Sequence, residues 1–181
     1  ELLSALAAGA AFVRFGFTPT GIAIYLLLAT LIVITFIDFE HKIIPDLINF
    51  PGMIIGLLLS VVTEFTHLFT PPLASGAADS LLGMLIGGGG FYAVTYGYYL
   101  FSGKIGLGGG DIKFMGFVGA LLGVRAIFPT IVAGSICGSV VGIALMLFKK
   151  GGRHTEIPFG PWLALGVVLH LFGQIPQLTL F

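Results

Sequence analysis

Leu31-Ile32-Val33-Ile34-Thr35-Phe36-Ile37-Asp38 is the stretch whose reading decides the fold. Seven residues with one hydroxyl and no charge lead directly into a carboxylate. Upstream the apolar run reaches back to Thr20, which gives about the 20 residues a helix needs to cross a bilayer. The same character extends along the whole chain. Of 181 residues, 57% are hydrophobic and 9% charged, against about 25% charged in an average soluble protein. That excludes an ordinary soluble domain. Eight basic and eight acidic residues cancel, leaving no basic field to recruit nucleic acid. A lone cysteine, Cys137, excludes a disulfide framework and a thiolate zinc cluster within these residues.

The expected fold is therefore all-α: a polytopic membrane helix bundle of six to seven segments, with the lipid bilayer as its partner. The segments fall near 1–15, 20–38, 47–62, 78–101, 111–123, 126–148 and 159–172. The fifth is short, and its crossing rather than re-entering fixes the side of every later loop. With seven crossings, Lys42, Lys104, Lys113, Lys149, Lys150 and Arg153 share one side, and Arg14 and Arg125 the other. By the positive-inside rule the first side is cytoplasmic. The Thr63–Gly76 loop, with Pro71-Pro72 and no Lys or Arg, then lies on the outer side. The 28 glycines lie mostly inside apolar runs. Gly83/Gly87, Gly119/Gly123 and Gly134/Gly138/Gly142 make small-xxx-small steps suited to close helix packing. The Gly87–Gly90 run adds a second possibility, a hinge in the fourth segment.

Ionisable residues at the edge of membrane segments are expensive, and each is by default a functional hypothesis. Two stand out. Asp38 ends the second segment; Asp111 closes Gly106-Leu107-Gly108-Gly109-Gly110-Asp111 and opens the fifth. Both fall at the cytoplasmic ends of their helices. Side by side, two carboxylates share a proton, the arrangement that activates water against an amide. The helix dipole favours the anion at Asp111, at a helix N-terminus, and disfavours it at Asp38, at a C-terminus, so Asp38 is expected to hold the resting proton. Gly108 and Gly110 support the site by letting a substrate backbone approach. Lys113 reads first as an interfacial anchor and second as a partner of the site. Asp46, after Pro45, reads as the N-cap of the third segment. Glu40, His41 and Lys42 read as a solvated interfacial loop, with Glu40 and Asp46 able to meet a basic substrate segment. The four histidines, His41, His67, His154 and His170, do not fall at metal-ligand spacing, so no metal is expected. Phe159-Gly160-Pro161 reads as the start of the last helix. A hydrolase built on Asp38 and Asp111 competes, on these residues alone, with a cation-coupled transporter.

Taken together, Phe36-Ile37-Asp38 with Ile44-Pro45-Asp46, Gly108-Gly109-Gly110-Asp111-Ile112-Lys113 and Phe159-Gly160-Pro161-Trp162 resemble the type IV prepilin peptidases. The resemblance implies that Asp38 and Asp111 are the catalytic pair of an aspartic endopeptidase, a membrane protease of the Gly-x-Gly-Asp type that uses no cofactor. Its implied substrate is the helix of a type IV prepilin or type II secretion pseudopilin, whose short basic leader is cut after a glycine at the cytoplasmic face of the bacterial inner membrane. Glu40 and Asp46 become reasonable partners for that leader. Residues 1–181 read as a single membrane-embedded peptidase domain. The cytoplasmic methyltransferase-type region of such proteins, with its two cysteine pairs, is expected upstream of Glu1. Asp111 follows Asp38 by 73 residues, a longer separation than the family suggests, ascribed to an extended Thr63–Gly76 loop. A presenilin-like protease or a preflagellin-type peptidase are the alternatives; the presenilin markers Tyr-Asp and Pro-Ala-Leu are replaced here by Ile-Asp and Phe-Gly-Pro.

Overall fold

A computed structural model describes residues 1–69, 73–104, 106–148 and 158–173. Eight α-helices succeed one another: α1 Leu2–Phe15, α2 Pro19–His41, α3 Asp46–Thr66, α4 Ala77–Met84, α5 Gly90–Ser102, α6 Gly109–Leu122, α7 Val124–Phe148 and α8 Gly160–Gly173. A π-turn over Leu85–Gly89 joins α4 to α5 without a break, so the described residues form seven continuous helices and no strand. Four of them are long and apolar enough to cross a membrane: Pro19–His41, Asp46–Thr66, Ala77–Ser102 and Val124–Ala144. The other three, α1, α6 and α8, have 14 residues each, about 21 Å at 1.5 Å per residue. The chain is thus a polytopic helical membrane protein.

The short α6 is the centre of the bundle, with ten of its fourteen residues buried, among them Phe114, Met115 and Val118. A helix apolar on all sides belongs in such a position. It is a single helix with no reversal, so the re-entrant alternative does not apply. Contacts fix its direction relative to its neighbours. Gly52 and Gly56 of α3 lie against Phe117 and Ala120, in ascending order, so α3 and α6 run parallel. Gly83 of α4 lies against Gly119 and Gly123, and Gly87 against Met115, in descending order, so α4 runs antiparallel to both. Two of the small-residue steps found in the sequence are therefore each other's partners. In lipid this close backbone approach supplies the packing that hydrophobic exclusion supplies in water.

On the other flank Gly134 and Gly138 of α7 receive Trp162 of α8, while Gly166 of α8 abuts Thr130 of α7. Helix α2 packs on α1 and α8, and α3 on α6 and α4. An apolar cavity of about 590 Å³ separates α2 from α3, floored by Phe117 and Leu121 of α6. The same end of the bundle thus gathers the C-terminus of α2 and the N-termini of α3, α6 and α8. Lys42, Lys104 and Lys113 lie there, and Arg14 and Arg125 at the opposite end. The expected positions of Lys149, Lys150, Arg153 and Pro71-Pro72 fall outside the described residues.

Candidate active site

Asp38 sits one turn before the end of α2, and it is only 5% exposed. Its Oδ2 accepts a hydrogen bond from the backbone N–H of Gly160 at 3.0 Å. Gly160 is the first residue of α8, so the free amides of one helix end are aimed at an acid carried by another. Glycine is required by the space: an ideal Cβ at position 160 would stand 2.6 Å from Asp38 Oδ2.

Asp111 is 9% exposed and lies in the first turn of α6, three residues after the N-cap Gly108. Its carboxylate accepts from the Gly108 backbone N–H, the reach-back of a capping box. Asp38 and Asp111 are close enough for their charges to interact. The structure thereby brings together two acids from helices that otherwise pack in different sets. Ile44, from the connection between α2 and α3, lies between their supports, against Gly110 on one side and Gly160 on the other.

Beside the pair, Lys113 Nζ donates to both carboxylate oxygens of Asp46 at 2.7 and 2.8 Å and sits 5.3 Å from the centre of the Phe50 ring. This corrects two sequence readings. Lys113 is held in a partnership that ties α3 to α6 instead of serving chiefly as an interfacial anchor. Asp46 is not the N-cap of α3: Pro45 occupies that position, and no side chain caps it. The physical reason is shared, since the ammonium engages both oxygens that a cap would have used. Glu40 is exposed at the end of α2, with His41 at 4.0 Å. Among the described residues no group of three or more His, Cys, Asp or Glu converges.

The glycines before Asp111 also divide. Gly110 is packed against Ile44, and Gly108 lies beside the Asp111 carboxylate. Gly109 has open space above it and is exposed. A place at the site for Phe159-Gly160-Pro161 was only the lesser reading of the sequence, yet Gly160 bonds Asp38. The sequence correctly marked a helix start, but whose carboxylate that start would serve is invisible across more than a hundred residues. For the same reason the helix-dipole argument placing the proton on Asp38 is incomplete: it counted the C-terminus of α2 and omitted the N-terminus of α8. With an amide donor on each acid, helix ends alone do not decide which holds the proton.

A polytopic helical bundle with two adjoining buried carboxylates at helix termini is the architecture of a membrane-embedded acid pair. Residues 25–143 match the type IV leader peptidase family, and the chain belongs to that family. A prepilin leader peptidase/N-methyltransferase of Xanthomonas campestris pv. campestris is 36% identical over 176 residues, covering 96% of this chain and 58% of the relative. Proteins of the same name from Pseudomonas aeruginosa and Aeromonas hydrophila are 32% and 31% identical over 175 residues, 96% of this chain and 57% of theirs. The chain thus spans somewhat over half the length of these relatives. No solved structure matches it.

Proposed function

We propose that residues 1–181 form a single membrane-embedded peptidase domain, an aspartic endopeptidase that removes the basic leader of type IV prepilins or type II secretion pseudopilins. Cleavage follows a glycine at the cytoplasmic face of the inner membrane, where the lysine-bearing end of the bundle lies by the positive-inside rule. The observation that carries this reading is the meeting of Asp38 and Asp111, both buried, at one end of a bundle whose family acts on leader peptides.

Two close carboxylates cannot both ionise easily, so the pair shares one proton. The anionic member takes a proton from water as the oxygen attacks the scissile carbonyl; the protonated member donates to the carbonyl oxygen. Collapse of the tetrahedral intermediate returns a proton to the leaving amine and restores the singly protonated pair. Open backbone at Gly109 lets the substrate chain approach. Glu40 and the outer side of Asp46 face the basic leader. Peptide hydrolysis, and not methyl transfer, is assigned to these residues.

The test is cleavage of a prepilin by full-length protein carrying Asp38→Asn or Asp111→Asn. Either change is expected to lower the rate by at least about 10³-fold, on the order of 4 kcal/mol of transition-state stabilisation, while membrane insertion persists. Wild-type cleavage by either variant overturns the assignment. Asp46→Asn is expected to be mild; complete loss there identifies Asp46 as the first catalytic acid.

A further inference from the structure

Ile44 belongs to the four-residue connection Lys42–Pro45 and is 6% exposed. An ideal Cβ at Gly110 would stand 3.1 Å from Ile44 Cβ and 3.2 Å from its backbone nitrogen; one at Gly160 would stand 3.0 Å from Ile44 Cδ1. The two ends of one side chain therefore bear on the first turns of α6 and α8. Gly110 precedes Asp111, and Gly160 holds Asp38 through its N–H. Ile44 is the point at which the supports of both acids meet.

Its surroundings make it stiff. Lys42 turns the chain out of α2 in the left-handed conformation, with φ 56°. Pro45 restricts the residue before it to extended backbone, and branching at Cβ restricts χ1. A rigid residue of fixed length between Gly160, which has no room for a side chain, and Gly110, where a Cβ would be crowded, has the properties of a spacer.

We propose that Ile44 is a positioning residue that sets the separation between Asp38 and Asp111, an inference that rests on the peptidase reading of that pair. It bears on Gly110 and Gly160, and through them on the two acids. It acts by preventing the N-termini of α6 and α8 from closing on each other or drifting apart. Ile44→Val is the informative variant, because it removes the Cδ1 that meets Gly160 and keeps the Cβ that meets Gly110. Ile44→Ala relaxes the contact further.

Two measurements on full-length protein in membranes test this. In kinetics on a prepilin, Ile44→Ala is expected to lower kcat by about 10²-fold, the scale of a misplacement near 1 Å, with KM little changed and the two limbs of the pH–rate profile displaced. Ile44→Val, which keeps the contact to Gly110 and loses the one to Gly160, should fall between wild type and Ile44→Ala. Leu171→Ala, a buried truncation at the far end of α8, supplies a loss of packing without displacement of the limbs. In the second measurement Asp38→Cys and Asp111→Cys are combined in full-length protein whose other cysteines, Cys137 included, are replaced by serine, and disulfide formation is timed with and without Ile44→Ala. A several-fold change in cross-linking is expected. An unchanged cross-linking rate overturns the spacer whatever the chemistry of the pair, as does a pH profile that Ile44→Ala leaves unmoved. Cleavage by Asp38→Asn or Asp111→Asn would instead sink the peptidase reading and leave the cross-linking result standing.

Discussion

The two ends of the bundle use acidic residues in the same local way and to different effect. At the end that carries Arg14 and Arg125, Glu64 accepts the N–H of Ala77, the first residue of α4, at 3.0 Å. Asp79 accepts the N–H of Val124, the first residue of α7, at 3.0 Å, and also bonds Ser75 through its other oxygen. At the lysine-bearing end Asp38 accepts the N–H of the first residue of α8, and Asp111 that of the N-cap of α6. All four carboxylates are thus paired with helix N-terminal amides, which need acceptors. Glu64 is exposed and Asp79 half-buried, and each serves a separate helix. Asp38 and Asp111 are buried and interact with each other. Capping an amide does not distinguish a structural acid from a chemical one. Burial beside a second acid is what sets Asp38 and Asp111 apart from Glu64 and Asp79.

The largest test of that contrast joins Asp38→Asn with Asp111→Asn. Cleavage is expected to fall by more than about 10³-fold, whereas thermal stability stays level or rises, because two adjoining buried acids no longer oppose each other. A fall in stability matching the loss of activity would place the pair with Glu64 and Asp79. Next in size, Asp79→Ala should cost about 1–2 kcal/mol of stability, the range of a lost helix cap, with cleavage per folded molecule unchanged. Thermal melting in detergent alongside a cleavage assay reads both. Glu64→Gln should behave likewise at about 0.5 kcal/mol, since its amide oxygen still accepts from Ala77. The smallest effect belongs to the half-exposed Lys113–Asp46 pair: Lys113→Met should cost about 0.3 kcal/mol, and added salt should narrow its difference from wild type.

How far the sequence reached differs between elements. The α2 segment was legible because a long uncharged run has one meaning in a chain of this composition, and the expected boundary at Asp38 lies within three residues of the observed end at His41. The fourth segment was legible as one helix, and its glycine run carries the π-turn. The packing role of Gly83 and Gly119 was readable, but their mutual contact was not. Asp38 and Asp111 were singled out by the anomaly of a charge at a membrane edge, a local signal, and both are buried in the structure. Lys113 was misjudged because its partner lies 67 residues away, and Asp46 with it.

By itself the sequence determined a helical membrane bundle, its segments, its charge asymmetry and the two acids, because hydropathy and the cost of an intramembrane charge act residue by residue. Only the tertiary structure decided which helix end faces which acid, that Gly160 serves Asp38, that Asp46 is held by Lys113, and that Ile44 stands between the supports of the pair. Those relations depend on the direction and register in which distant helices pack, and small-residue contacts such as Gly83 on Gly119 set both.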